Sequence, residues 1–516
     1  MQSTLIRNRI IDSVKINFIR IPALRVISLI SSVVTARVLG PELLGILKLI
    51  TAHGKMLSSL SDLGITKTLQ RILSELSVQF GNQTALQSIR LVVTAKVLLS
   101  ALAFGIYLAV IQYRDSDYGF LGHPHVLFVA LVLVNLLYSG LLDIRKQEWT
   151  ASFRNKELAN LEIIAAIATP LLIIGTVMLS TNPFLVFAAS ITPNVLLLVW
   201  LSIQKGFDLD QQDAEGVSSQ AVRASIKDLL KRYWRHALST YVIFVLNKFV
   251  YAVGFTVIFL EFMGYSTAIL GKAAIGASVI QLGWDVANIP LANLRVPLLA
   301  RLSALDDQEK FVLTHQLMVI ILVMASAAVC IGLASFGGIA LEALYGSDYA
   351  ASIREGVVIT TLALSFNIFS LGNAVTRQIN KYWIVWVGAI CSVLFMIGFL
   401  YTYGRAAAES DVIFVVLINF VLGRGVFWMI TDVGADVSRK VWQVIGVKLI
   451  AFALVLGYAY LIYRHYPSHL LDGCLLGLAG LVLLGLLVGL LAQLSESRTW
   501  IAQNGSTFLK NRKKKG

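Results

Sequence analysis

The sequence predicts an all-α polytopic membrane protein with about 14 transmembrane helices. Its composition is 57% hydrophobic and only 14% charged, and its mean hydropathy is +0.76. Apolar runs of about 20 residues, the length that crosses the hydrocarbon core as a helix, fill almost the whole chain. Lys and Arg accumulate in alternate loops between these runs, as they do on the cytoplasmic side of membrane proteins.

The predicted spans are separated by short loops. Because the number of spans is even, both termini lie on the same side of the membrane. In chain order they cover 18–37, 42–63, 91–111, 125–142, 159–180, 183–203, 237–260, 266–290, 312–334, 355–373, 382–403, 410–430, 442–463 and 470–493. Loops on the side of the termini hold most of the basic residues, such as Arg145, Lys146 and Arg154, so both termini are predicted to be cytoplasmic. This asymmetry accounts for most of the +14 net charge, and the basic character therefore does not indicate a nucleic-acid partner.

The longest stretch outside the predicted spans is 204–236. It begins acidic and becomes a basic amphipathic segment around Leu229 and Tyr233. A linker between two membrane halves fits this pattern, and so does a surface helix that binds anionic lipid. The predicted division is an N-terminal bundle (1–203), this linker, a C-terminal bundle (237–430), and two additional spans with a basic tail (431–516).

An internal repeat supports two halves. When the chain is shifted by 224 residues, similar residues coincide or fall within one position of each other. These pairs are Gly40 and Gly264, Lys48 and Lys272, Arg71 and Arg295, Arg25 and Lys248, and Asp62 and Asp285. Spans 1–2 and 7–8 are therefore predicted to be corresponding elements of a duplicated bundle, an architecture that many transporters use.

Three short motifs carry a resemblance to a known family. The segment Ala-Arg-Val-Leu-Gly-Pro-Glu-Leu-Leu-Gly at 36–45 links spans 1 and 2, and Gly40-Pro41 ends one helix and begins the next. With Ser-Asp-Leu-Gly-Ile at 61–65, and with Pro290, Pro297 and Arg301, it resembles the polysaccharide flippases of the multidrug/oligosaccharidyl-lipid/polysaccharide exporter superfamily.

This resemblance implies two helical bundles around a central cavity that spans 1, 2, 7 and 8 line. It implies a flippase in the bacterial inner membrane that moves an undecaprenyl-pyrophosphate-linked oligosaccharide from the cytoplasmic to the outer face for surface polysaccharide biosynthesis. Implied partners are the lipid-linked oligosaccharide, anionic membrane lipids, and polysaccharide polymerase or export machinery. It implies neither an enzyme nor a cofactor.

Basic residues inside the four cavity spans are the candidate substrate ligands. A Lys or Arg at the centre of a span costs about 2.5–3.5 kcal/mol on insertion scales, so its presence needs a reason. Lys55 and Lys248 lie near span centres, whereas Arg25, Lys48 and Lys272 lie nearer the ends. Facing a polar lumen, they would bind a pyrophosphate group or acidic sugars. Alternatively, the last three side chains could extend to the headgroup region.

Other charges inside the predicted spans have more than one interpretation. Asp62 and Asp285 could bind a coupling proton or sodium ion, or could pair locally with Lys67 or Arg295. Three further cations lie on helices not expected at the cavity, and for these extension to the headgroups is predicted. They are Lys96, Arg424 and Lys448.

Two other functions remain open at this point. A multidrug-type cation-coupled exporter would need acidic residues in the lumen, and the mid-span charges here are basic. A membrane polymerase or ligase of the same pathway would need a large catalytic loop, for which the outward loops are too short. The sequence has no P-loop, GxSxG, HExxH or Cys/His cluster, so neither ATP hydrolysis nor a metal site is predicted.

The predicted topology can be tested by cysteine labelling. In a background in which Cys330, Cys391 and Cys474 are replaced, an impermeant maleimide added outside should label cysteines at Asp117, Ser347 and Ser468. The same reagent should leave Ser218→Cys and Ser506→Cys unlabelled until the membrane is permeabilised. Labelling of position 218 in intact cells would refute the topology.

Overall fold

The computed structural model describes most of the chain. Described are 2–62, 82–113, 125–204 except 153 and 181, 253–288, 308–376 except 373 and 374, 381–404, 411–438, 442–467 and 470–491, together with 64, 66, 69, 73, 241, 245 and 291. The predicted linker after residue 204, Lys248 and the basic C-terminal tail lie outside these residues.

The described residues form helices and no strand. In chain order the helices are α1 (Gln2–Leu60), α2 (Asn82–Tyr113), α3 (His125–Ala151), α4 (Asn155–Leu179), α5 (Pro183–Gln204), α6 (Val253–Phe262), α7 (Thr267–Asn288), α8 (Gln308–Gly332), α9 (Gly338–Tyr345), α10 (Ala350–Asn367), α11 (Tyr382–Phe399), α12 (Val412–Ser438), α13 (Trp442–Arg464) and α14 (Leu470–Leu491). Single π-helical turns follow α8 (Leu333–Gly337) and α11 (Leu400–Gly404). The predicted all-α polytopic class is confirmed.

Nine helical segments among the described residues are long and apolar enough to cross a membrane. They correspond to nine predicted spans, and helix also occupies the described parts of the other five. Those five are spans 1, 2, 7, 8 and 10; span 7 is described at 241 and 245 and from residue 253 onwards.

The chain forms two compact units, Met1–Ala274 and Ile275–Gly516. In the first, α1 packs against α3, α4 and α6, and Leu142, Trp149 and Leu201 form part of a buried core. In the second, α12 packs against α10 and α11, and α8 packs against α14. The predicted four-part division stays a prediction.

Two glycines produce matching turns in the first unit. Gly40 interrupts α1 with φ 71° and ψ 175°, and Gly264 separates α6 from α7 with φ 82°. Both values fall in the left-handed region that residues with a Cβ atom seldom adopt. Gly40 and Gly264, which the predicted repeat pairs, therefore share a positive φ.

A close helix crossing lies directly after these turns. A Cβ atom added to Gly45 would lie 1.9 Å from the Thr267 carbonyl oxygen, and one added to Gly271 would lie 1.9 Å from that of Pro41. The backbones of α1 and α7 thus approach each other reciprocally within the first unit. Small residues permit such an approach between membrane helices.

This crossing makes a stability prediction. Gly45→Ala should lower the thermal unfolding midpoint in detergent, because the methyl group forces the two backbones apart at a cost of about 1–3 kcal/mol. Gly105→Ala on α2 is the matched control, since its added methyl meets no atom within 4 Å. The control should be neutral or slightly stabilising, because Ala is the better helix former. Equal midpoints for both variants would contradict the crossing.

Candidate functional site

Lys48 and Lys272 occupy equivalent positions on α1 and α7. Each lies about two helical turns after its turn glycine, Gly40 or Gly264. Both side chains are half-buried, and neither has an ion pair or hydrogen bond with any residue that the structure describes. Two ammonium groups are thus held inside apolar helices without a described counter-charge, an arrangement that favours an anionic ligand.

The other three predicted cavity cations are described to different extents. Lys55 lies further along α1 and is exposed. Arg25 lies on the same helix before the Gly40 turn, but only its backbone is described. Lys248 lies outside the described residues. The substrate-binding role of these three residues stays a prediction.

Asp62 is paired with Lys96, for which the sequence predicts extension to the headgroups. Lys96 on α2 is buried, and its Nζ donates to the Ser58 carbonyl at 2.8 Å and to Ser61 Oγ at 3.0 Å. The same Nζ lies 3.7 Å from Asp62 Oδ1, which also accepts a hydrogen bond from Thr66. The headgroup prediction for Lys96 is therefore wrong, because backbone and side-chain acceptors inside the protein hold this ammonium.

A second buried cluster lies in the second unit, and sequence reasoning missed it. Lys448 on α13 is 1% exposed, and its Nζ donates to Asp432 Oδ2 at 2.5 Å and to Asp436 Oδ2 at 2.6 Å. His315 Nδ1 on α8 lies 3.7 Å from Asp436 Oδ1. We refer to Lys448, Asp432, Asp436 and His315 as the Lys448 cluster. The headgroup prediction for Lys448 is wrong.

A usable signal for this cluster was present in the sequence. Asp432 and Asp436 are four residues apart and so share one face of α12. A short connection then leads to α13, whose second turn carries Lys448. Antiparallel neighbours joined in this way bring such residues to the same level.

Arg424 is also held inside the protein. Its Cζ lies 3.9 Å from the centroid of the Trp284 ring and 4.5 Å from that of Trp428. Stacking on an indole face is a favourable arrangement for a guanidinium group. The predicted extension of Arg424 to the headgroups is therefore wrong as well.

Asp285 lies near the end of α7, where a polar network begins. It is half-buried and accepts a hydrogen bond from Gln281 at 3.0 Å; its predicted partner Arg295 lies outside the described residues. Asn288 donates to Asn367 Oδ1 at 2.9 Å, and Asn367 donates to Ser326 Oγ at 3.0 Å. This network ties α7 to α8 and α10. An ion-coupling role for Asp62 or Asp285 stays a prediction.

Tyr466 lies outside the apolar spans, in the connection between α13 and α14. Tyr466 Oη donates to Glu342 Oε1 at 2.9 Å, and Arg354 Cζ lies 4.8 Å from the Tyr466 ring centroid. Burial and the neighbouring Glu342 carboxylate raise the pKa of Tyr466. This side chain therefore stays neutral and serves as a hydrogen-bond donor.

Comparison with known proteins gives structural similarities only. Neither the protein-family models nor the curated proteins give a match. The chain is similar to a structure of the lipid II flippase MurJ in an inward closed conformation, with 14% identity and a TM-score of 0.47 over 92% of this chain and 98% of that chain. It is also similar to a MOP superfamily transporter from Pyrococcus furiosus, with 14% identity and a TM-score of 0.42 over 83% and 95% of the two chains.

Metal binding finds no geometric support within the described ranges, which contain no group of three or more His, Cys, Asp or Glu residues suited to hold an ion. The buried aspartates Asp62, Asp432 and Asp436 each lie beside a lysine.

The Lys96–Asp62 pair makes a testable prediction. Lys96→Met should destabilise the protein by about 3–5 kcal/mol, because Asp62 is left buried without its cation. Adding Asp62→Asn should recover most of this loss, and thermal unfolding in detergent measures both variants. As a control, Lys146→Met removes the more exposed pair with Glu162 and should cost no more than about 1 kcal/mol. If Lys96→Met were as mild as Lys146→Met, the pair would not stabilise the fold.

Proposed function

We propose that this chain is a flippase that moves an anionic lipid-linked oligosaccharide, of the undecaprenyl-pyrophosphate type, from the cytoplasmic to the outer face of a bacterial inner membrane. The observation that carries the proposal is the pair of half-buried lysines, Lys48 and Lys272, without a described counter-charge. The motifs at 36–45 and 61–65, which resemble those of polysaccharide flippases, support the same class.

The balance of charge inside the helices favours an anionic substrate over a cationic one. The buried carboxylates Asp62, Asp432 and Asp436 each lie beside a lysine of the protein itself. A cationic drug would therefore have to displace Lys96 or Lys448 to reach them. The two lysines that lack a described acid partner can instead accept an anion without displacing anything.

A pyrophosphate group fits two such lysines. It carries several negative oxygens over a short distance, and a hydrogen bond to a charged group contributes about 1.5–3 kcal/mol. Ammonium groups bind phosphate as point charges on flexible stems, so they can follow a headgroup that moves. The sugars would stay in a polar lumen while the isoprenoid tail remains in the bilayer.

Reconstitution tests this function directly. Purified protein in liposomes should move a fluorescent undecaprenyl-pyrophosphate trisaccharide between leaflets, as measured by its accessibility to an impermeant quencher. Lys48→Ala/Lys272→Ala should slow this movement at least about tenfold, because two charged contacts are lost. Arginine at both positions should restore part of the rate, since the charge returns.

The controls separate the proposal from its rivals. Lys381→Ala removes an exposed lysine before α11 and should leave the rate unchanged. A double alanine variant with full activity and normal stability would refute the lysine site. Lengthened glycans on a gel would indicate a polymerase or ligase instead, and efflux of a cationic dye without flipping would indicate a multidrug exporter.

A further inference from the structure

The Lys448 cluster holds a charge arrangement that the proposed substrate site does not use. Two carboxylates, Asp432 and Asp436, share one ammonium, and both are fully buried. With both acids ionised, Lys448 charged and His315 neutral, the cluster would carry one excess negative charge. Burial strongly disfavours an uncompensated charge, so one added proton makes the cluster electrically neutral.

The added proton can bind to either of two neighbouring groups, His315 or Asp432. Protonation of His315 would place a cation 3.7 Å from Asp436 Oδ1. A proton on Asp432 is equally well placed, because Asp432 Oδ1 is buried and accepts no hydrogen bond from any described residue. Because the two carboxylates and the histidine interact, a proton bound at one of them changes the proton affinity of the others. The cluster therefore binds or releases one proton as a unit.

The geometry favours a proton over a metal cation. Lys448 Nζ already occupies the position between Asp432 Oδ2 and Asp436 Oδ2, at 2.5 and 2.6 Å, where a sodium ion would otherwise lie. A proton can be added to an outer oxygen or to the imidazole without displacing this ammonium.

One face of α12 connects the cluster with α7. Arg424, Trp428, Asp432 and Asp436 follow at intervals of four residues and so lie along one face. Trp428 and Arg424 both contact Trp284 on α7, with ring centroids of the two tryptophans 5.5 Å apart. Trp284 Nε1 also donates to the Ala363 carbonyl on α10 at 3.2 Å.

The helices that form or surround the cluster carry other ionisable groups, including Glu309 and Lys310 near the start of α8, and Lys272 and Asp285 on α7. Arg424 is the remaining charged residue on α12, and Arg464 is the last residue of α13. Arg354 and Glu355 lie near the start of α10. Gly372, which packs against Asp432, lies beyond the other end of that helix. Arg377, Arg439 and Lys440 lie outside the described residues.

We propose that the Lys448 cluster is a proton-binding site, and that binding and release of one proton at Asp432, Asp436 and His315 is coupled to the position of α7. A proton taken up from water on one side would neutralise the cluster, and its release would restore the excess negative charge. The change in charge would alter the packing of α12 against Trp284. Only the transport consequence rests on the proposed function.

Infrared spectroscopy of the full-length protein in liposomes tests proton binding without any transport assay. Raising the pH should reversibly remove a carboxylic-acid C=O stretching band, and this titrating band should be absent from Asp432→Asn. That variant leaves the neutral pair Lys448–Asp436 and should fold, as its thermal unfolding will verify. Glu162→Gln, which removes the acid of the Lys146 pair, is the matched control and should keep the band. Retention of the full titrating band by Asp432→Asn and by Asp436→Asn would overturn the proposal.

Reconstituted transport tests the coupling. An imposed pH gradient should accelerate movement of the fluorescent lipid-linked oligosaccharide in the wild type. In the Asp432→Asn variant, the rate at which the oligosaccharide moves between leaflets should not respond to the gradient. An unchanged gradient response in this variant would overturn the coupling. If the wild type titrates in the infrared but flips nothing, the proposed function fails while the proton site stands.

Discussion

The cost of placing an ionised side chain in the hydrocarbon layer explains the contacts that the buried charged residues of this protein make. A lysine or an aspartate there needs an opposite charge, hydrogen-bonding partners or a water-filled lumen. Lys96 satisfies this requirement with Asp62, Ser61 and a backbone carbonyl, and Lys448 does so with two aspartates. Arg424 uses the faces of two tryptophans. Each solution also joins helices that the hydrophobic effect alone would not hold together within a bilayer.

Lys48 and Lys272 differ from these charged residues in their lack of a described partner, and this difference makes them candidates for binding a ligand. Neither has a described partner, and both lie at the same distance from a turn glycine on helices that cross closely at Gly45 and Gly271. Their matched placement is the part of the internal repeat that bears most directly on chemistry. In the proposed function, these two lysines supply the positive charge that binds the anionic headgroup.

The two units use their acidic residues differently. In the first unit, Asp62 is the buried carboxylate beside Lys96, and a second carboxylate nearby, Asp143, is exposed. In the second unit, Asp432 and Asp436 share Lys448, so the cluster depends on a further proton for neutrality. This arrangement of two buried acids around one lysine is the basis of the proposed proton site. It also moves attention from Asp62 and Asp285 to residues on α12 and α13.

The sequence alone determined the helical membrane class, the position of the spans and the turn at Gly40, because these follow from consecutive residues. Apolar runs have the length of the bilayer, and Gly-Pro interrupts a helix wherever it occurs. The repeat also indicated that Lys48 corresponds to Lys272. Only the tertiary structure decided which charges meet. Lys96 and Asp62 lie on different helices, and whether the lysine points to the headgroups or to the aspartate depends on the rotation of α2 about its axis. Hydropathy does not record that rotation. For Lys448, the same limitation concealed a buried cluster that includes His315 from a distant part of the chain.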